Sequence, residues 1–120
     1  MSRLLDALDP VFRPKAIELL ARCVEARIMV LIVDTLRTPE EQEEYVRRGV
    51  SWTMNSRHVV GRAIDIAPFS QYLLHGRDKL QWDGSDPVWA AIGAIGQRVG
   101  LQWGVWKDGR NIDLGHFEMG

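Results

Sequence analysis

The sequence predicts an α+β domain. Two observations carry that expectation: helix-period and strand-type segments are mixed along the chain without a regular βαβ alternation, and the last twenty residues break into short strands and turns. At 120 residues the chain is expected to form one domain, 1–120, with no separate second module.

The elements follow in order. Pro14 to Arg27 reads as a helix with Ile17, Leu20, Ala21 and Val24 at helical spacing, and Cys23 in it as a small packing residue. Ile28 to Thr35 is β-branched and apolar, and is expected to be a strand covered on both faces. Thr38-Pro39-Glu40-Glu41 opens a second helix: Thr38 is a good N-cap, Pro39 suits the first position, and Glu41 completes a capping box. Glu43–Arg47 and Glu44–Arg48 are favourable i,i+4 pairs, and Gly49 is a natural stop. Val50 to Gly61 reads as a loop, Ala63 to Ala67 as a short strand, and Gln71 to His75 as a candidate helix turn. Asp86-Pro87 starts a third helix with Val88, Trp89, Ile92, Ile95 and Val99 as its apolar stripe and Gly100 as its stop. Gly93 and Gly96 weaken that helix by about 1 kcal/mol each relative to alanine; close packing would give them a use, which the sequence alone does not show.

Composition narrows the function. Fifteen basic against sixteen acidic residues leave a formal charge of −1, so no excess of positive charge points to nucleic acid or an anionic membrane. The longest apolar run, Ile28 to Val33, is far short of the roughly 20 residues that span a bilayer. No basic stretch followed by an apolar one opens the chain, so no signal peptide is expected. A lone cysteine excludes an internal disulfide and a multi-cysteine zinc knuckle.

The chemistry concentrates in two places. Asp65 lies between Ile64 and Ile66 on a strand that belongs in the interior, where an unpaired carboxylate costs several kcal/mol. His58 is seven residues upstream, near enough for a loop to return its imidazole to Asp65. The second cluster is Asp113-Leu114-Gly115-His116-Phe117-Glu118. Two imidazoles, one carboxylate and a spare carboxylate match a catalytic zinc site with three protein ligands and an open position. The spacing alone is weak evidence for a metal and suits a salt-bridged Asp65 with two hydrogen-bonded structural histidines better. Glu118 shares a face with His116 in an extended chain and is a candidate to orient its imidazole. Trp52, Trp103 and Trp106 are candidates for either cleft or core, whereas Trp82 and Trp89 read as packing residues and His75 lies outside both clusters.

Ser56-x-His58-x-x-Gly61-x-Ala63-x-Asp65 followed by Asp113-x-x-His116-Phe117-Glu118 resembles the paired signature of the zinc D-Ala-D-Ala carboxypeptidase and L-alanyl-D-glutamate endopeptidase family, VanY-like and of the phage endolysin branch. The wider grouping includes lysostaphin-type peptidases and the Hedgehog signalling domain. Arg37-Thr38-x-x-x-Gln42 and Gly100-Leu101-x-Trp103-Gly104 extend the likeness, which runs from about Ile32 to Glu118.

The resemblance implies a small antiparallel sheet carrying one Zn2+, with helices packed around it. It implies His58, Asp65 and His116 as metal ligands and Asp113 as general base. Arg37 resembles the family arginine that faces the active site, where it binds a substrate carboxylate or steadies the oxyanion; a tie between strand end and next helix is its structural alternative. Ser56 resembles the motif serine, a hydrogen-bond donor to substrate or a turn residue. Gly61 and Ala63 fit a need for small residues where the chain passes close to the metal. The base position is usually Glu in the carboxypeptidase branch, and Asp resembles the endopeptidase branch. The implied reaction is hydrolysis of the peptidoglycan stem peptide, at the L-Ala–D-Glu bond, by a monomer that is held in a host cytoplasm and reaches the wall when a holin opens the membrane. The alternatives are a D-Ala-D-Ala carboxypeptidase and a zinc-containing binding domain without turnover.

Overall fold

A computed structural model describes residues 2–69, 80 and 82–119. Its elements are α1 (Arg13–Glu25), β1 (Val30–Asp34), α2 (Pro39–Arg47), β2 (Ala63–Pro68), α3 (Pro87–Val99), β3 (Gln102–Trp103), β4 (Trp106–Lys107), β5 (Arg110–Asn111) and β6 (His116–Glu118), with 3-10 turns at Leu5–Ala7 and Arg57–Val60. Four strands form an antiparallel sheet in the order β1-β2-β6-β3, and β4-β5 is a separate hairpin. The expected α+β architecture is present. The expected turn at Gln71 to His75 lies outside the described residues.

One face of the sheet meets α1 and α3 in a core that includes Phe12, Leu19, Ile64, Ile66, Ile92 and Phe117. Here Gly93 and Gly96 find their use. A Cβ at Gly93 would collide with the Trp103 indole, and one at Gly96 with the Phe117 ring. The absent side chains let α3 lie directly on the aromatic residues of β3 and β6. The helix ends also follow the sequence. Thr38 Oγ1 accepts from Glu41 N and Glu41 Oε1 accepts from Thr38 N, both at 3.1 Å. Asp86 Oδ1 accepts from Val88 N at 2.9 Å, and Gly100 closes α3 at φ +100°. Glu44, expected opposite Arg48, meets Arg47 at 3.1 Å.

Four expectations need correction. The apolar stripe of α1 is rotated: Ala16, Leu19 and Cys23 are buried, whereas Ile17 is exposed and Val24 is 72 % exposed. Small Ala16 and Cys23 were the less conspicuous apolar residues, yet they let α1 approach the core closely. The strand β1 is not covered on both faces. It is the sheet edge, and Leu31 is 39 % exposed. Within the Val50 to Gly61 stretch, Arg57–Val60 is a 3-10 turn. Trp82 stacks on buried Trp89 with centroids 6.2 Å apart but leaves its outer face exposed.

A bulge in β1 shapes the other face of the sheet. Ile32 pairs with Ile66, but Asp34 pairs with Asp65, so Val33 is an extra residue. Paired residues share a face. Ile32 therefore points to the core with Ile66, while Asp34 joins Asp65 on the opposite face.

Gly96→Ala is expected to destabilise the fold by up to about 2 kcal/mol: overpacking against the Phe117 ring costs about 1–3 kcal/mol, against a gain of about 1 kcal/mol in helix propensity. Urea unfolding followed by circular dichroism reads the sign, and a stabilised variant would contradict the contact with Phe117.

Candidate metal centre

Three segments converge on the sheet face opposite the core. β2 supplies Asp65, and β6 supplies His116 directly across from it. The 3-10 turn supplies His58. Ser56 caps that turn, its Oγ accepting from His58 N at 3.2 Å. Gly61 ends it at φ +72° and brings the chain back into β2. The small residue at Gly61 answers to the N-terminal segment, since a Cβ there would stand 2.8 Å from Asp9 N. That corrects the expectation that Gly61 makes room for the metal.

Asp65 Oδ1 lies 3.1 Å from His58 Nε2 and 3.0 Å from His116 Nδ1. Among the described residues, His58, Asp65 and His116 are the group whose donor atoms gather closely enough for one ion, all within 4.8 Å. Tetrahedral ligands bonded at about 2.0–2.1 Å stand about 3.3 Å apart, close to these spacings.

The imidazole tautomers support the same use. His58 Nδ1 is 2.6 Å from Thr35 O, which can only accept, so Nδ1 carries the hydrogen and Nε2 a lone pair. Nε2 is sealed from solvent and has no hydrogen-bond partner. An orphaned, buried lone pair aimed at a carboxylate fits a cation between them. His116 Nε2 donates to Glu118 Oε1 at 2.8 Å, which leaves Nδ1 facing Asp65. Glu118 thus takes the orienting position expected of it. Thr35, which sequence reasoning missed, is itself held, because its N–H donates to Ser2 O at 2.7 Å.

The charges are strongly coupled. Burial alone would raise the Asp65 carboxyl, but the hydrogen bond from His116 and the closeness of both imidazoles hold it well below the usual carboxylate range. Burial opposes a charge on His116, yet its bonds to Asp65 and Glu118 push it up to about 10. Without a cation, then, a proton on His116 balances the buried carboxylate. Asp113 borders the cluster, with Oδ2 4.0 Å from His116 Nδ1 and 48 % of its side chain exposed. Partial burial and the charge of Asp65 push it up to about 6. Asn111 sets the Asp113 loop, its Oδ1 accepting from Asp113 N at 3.1 Å and from Val105 N at 3.2 Å.

The cluster opens into a cleft of about 610 Å³ walled by the β1 bulge, α2, the 50–58 segment and the loop carrying Asp113. Arg37, Ser56 and Trp52 line it; Trp103 instead packs on α3, with Nε1 donating to Leu114 O at 2.7 Å. Arg37 is only 8 % exposed. Its Nε and Nη2 donate to Asp34 Oδ2 and its Nη1 donates to Gln42 Oε1 at 2.7 Å, with the Tyr45 ring 4.4 Å away. Its Nη2 is 4.0 Å from Asp65 Oδ2. Gln42 in turn donates to Ser51 Oγ at 2.9 Å and Thr53 O at 2.6 Å, tying α2 to the cleft wall. Asp34 and Tyr45 carried no sequence expectation; a carboxylate closing an apolar strand was the available signal for Asp34. His75 lies outside the described residues.

Comparison with known proteins gives this geometry its context. Residues 2–118 match the family of phage L-alanyl-D-glutamate peptidases. The chain belongs to that family. A relative, the L-alanyl-D-glutamate peptidase of Listeria phage A118, is 53% identical over 38 residues. That stretch is 32% of this chain and 14% of the phage A118 protein, so the match spans about a seventh of that relative. The crystal structure of the Serratia marcescens L-Ala D-Glu endopeptidase ChiX superposes with a TM-score of 0.71, covering 97% of this chain and 83% of that one. At 24% identity it supports the fold of this family member. Among the described residues, no helix is long and apolar enough to cross a membrane.

A dication at this centre displaces the His116 proton. Because that group sits at about 10, the apparent metal affinity is expected to rise about tenfold per pH unit across pH 6–8. Calorimetry in buffers of different ionisation enthalpy should register about one proton released per metal; no release would contradict the His116 assignment. Glu118→Gln is expected to weaken metal binding about 10–100-fold in the same titration.

Proposed function

We propose that the chain is a zinc-dependent endopeptidase that cleaves the L-Ala–D-Glu bond of the peptidoglycan stem peptide. The observation that carries this reading is the His58–Asp65–His116 cluster with Asp113 beside it, in a member of the phage L-alanyl-D-glutamate peptidase family. His58 Nε2, Asp65 Oδ1 and His116 Nδ1 would hold one Zn2+, which supplies a Lewis acid that acidifies water and polarises the scissile carbonyl. Two neutral imidazoles and one carboxylate leave such a centre a net positive charge, as that chemistry requires.

Asp113 is the general base. It stands at the cleft edge of the cluster, half in solvent, where it can take a proton from water and return it to the leaving amine. Its raised pKa suits both transfers better than an ordinary carboxylate would. Arg37, held by Asp34 and Gln42, presents fixed positive charge to the cleft and steadies the oxygen of the carbonyl under attack. Ser56 keeps its hydroxyl hydrogen for the substrate while its oxygen caps the turn. Thr35 and Glu118 keep the two imidazoles in the tautomers that turn lone pairs inward.

In this reading the enzyme works as a monomer on the cell wall, reaches it after a holin opens the membrane, and needs neither nucleic acid nor stable membrane attachment. The near-neutral charge supports that, because it offers no polybasic attraction to anionic lipid.

Digestion of purified peptidoglycan by the zinc-loaded protein, read by mass spectrometry, should release stem peptides that begin at D-Glu and leave L-Ala on the glycan. Release of D-Ala alone would make the chain a carboxypeptidase, and no product despite bound zinc would make it a binding domain. Asp113→Asn should retain zinc and lose at least 10²-fold in kcat. A base must be deprotonated to act, so kcat/KM should fall as pH drops through the Asp113 pKa. That limb is expected between 3.8 and about 6, because a cation at the centre pulls the value down from the latter. An unchanged limb in Asp113→Asn would remove Asp113 from the role.

A further inference from the structure

We propose that Arg57 anchors a free carboxylate on the substrate residue that follows the scissile bond. The inference rests on the L-Ala–D-Glu reading above and adds the residue that selects the acidic half of that bond.

The charges lining the cleft lead to it. Asp34, Asp65, Asp113 and Glu118 place four carboxylates there, and among the described lining residues only Arg37 and Arg57 carry guanidinium groups. An anionic peptide entering this cleft needs a cation with donors to spare. Arg37 has few, since all three of its nitrogens are engaged by Asp34 and Gln42 and it is almost wholly buried. Arg57 is different. Its side chain is 48% exposed, and its one ion pair among the described residues is a loose approach of Nε to Glu118 Oε2 at 3.7 Å. That distance is beyond hydrogen-bond reach. Glu118 is fixed at its other oxygen by His116 Nε2 at 2.8 Å. The carboxylate therefore holds Arg57 by field at the cleft wall and leaves the outer fork of the guanidinium open.

Position and chemistry agree. Arg57 sits between Ser56 and the ligand His58 in one 3-10 turn, so its backbone is fixed to the metal centre. A glutamate acylated through its amine keeps two carboxyl groups. The stem continues from one, and the other stays ionised at neutral pH. A planar guanidinium fork binds such a carboxylate through two parallel hydrogen bonds, a geometry that an amide in the same place cannot match.

The test uses the zinc-loaded protein and two synthetic stem peptides that differ only there, one with the free carboxylate on D-Glu and one with it amidated. The readout is the ratio of their kcat/KM values, with zinc content measured in each variant. The wild type is expected to prefer the carboxylate peptide by about ten- to hundredfold. Arg57→Ala should bring that ratio to near one with zinc retained, and Arg57→Lys should keep part of it. A purely structural Arg57 would lower both substrates together and leave the ratio intact, which overturns the proposal. Equal cleavage of both peptides by the wild type also overturns it while leaving the L-Ala–D-Glu reading standing. Cleavage of neither peptide overturns that reading and the role of Arg57 together.

Discussion

The cross-strand pair of Asp65 and His116 is the constraint on which the remaining structure depends. It places a carboxylate and an imidazole 3.0 Å apart on a sheet face, where the alternation of β2 has already committed Ile64 and Ile66 to the core on the other side. A register slip of one residue would send Asp65 into that core. The tight seating of α3 over Phe117 and Trp103, allowed by Gly96 and Gly93, opposes such a slip. Core packing and site geometry are thus one problem solved by one register.

Around that pair the structure uses backbone to orient and side chains to charge. His58 is aimed by a carbonyl that the N-terminal segment holds in place, through Ser2 and Thr35. His116 is aimed by Glu118, and the Asp113 loop by Asn111. The donors are thereby arranged before any ligand arrives, which lowers the reorganisation needed to bind one. Arg37 does for the cleft wall what these groups do for the ligands, locking β1 to α2 through Asp34 and Gln42.

Much of this was legible in the sequence, and the reasons differ by element. The α2 capping box, the Asp86 cap of α3 and the glycine stops are local chemistry, so α2 and α3 could be read from a few residues. The gathering of His58, Asp65 and His116 could be read because a carboxylate inside an apolar strand demands compensation, and the two motifs offered it. What was not legible depends on partners distant in the chain. The buried face of α1 is chosen by Phe12, Ile92 and Val99 of the shared core, against which Ala16 and Cys23 fit better than the larger Ile17 and Val24. The edge position of β1 follows from strand order, which composition does not encode. Asp34 and Thr35 gain their roles through Arg37 and His58, contacts that no periodicity predicts.

The strand divides its two faces at the extra residue, Val33. Upstream of it, Val30 and Ile32 pack with the core; from it onward, Val33 and Asp34 line the cleft. Apolar drift among the former leaves the chemistry of the latter untouched, since no shared alternation links them. Deleting Val33 would restore plain alternation with Asp34 still across from Asp65, so the extra residue is not what turns Asp34 to the cleft. What it adds is a second consecutive cleft-facing side chain and the local bend of a bulge beside the site.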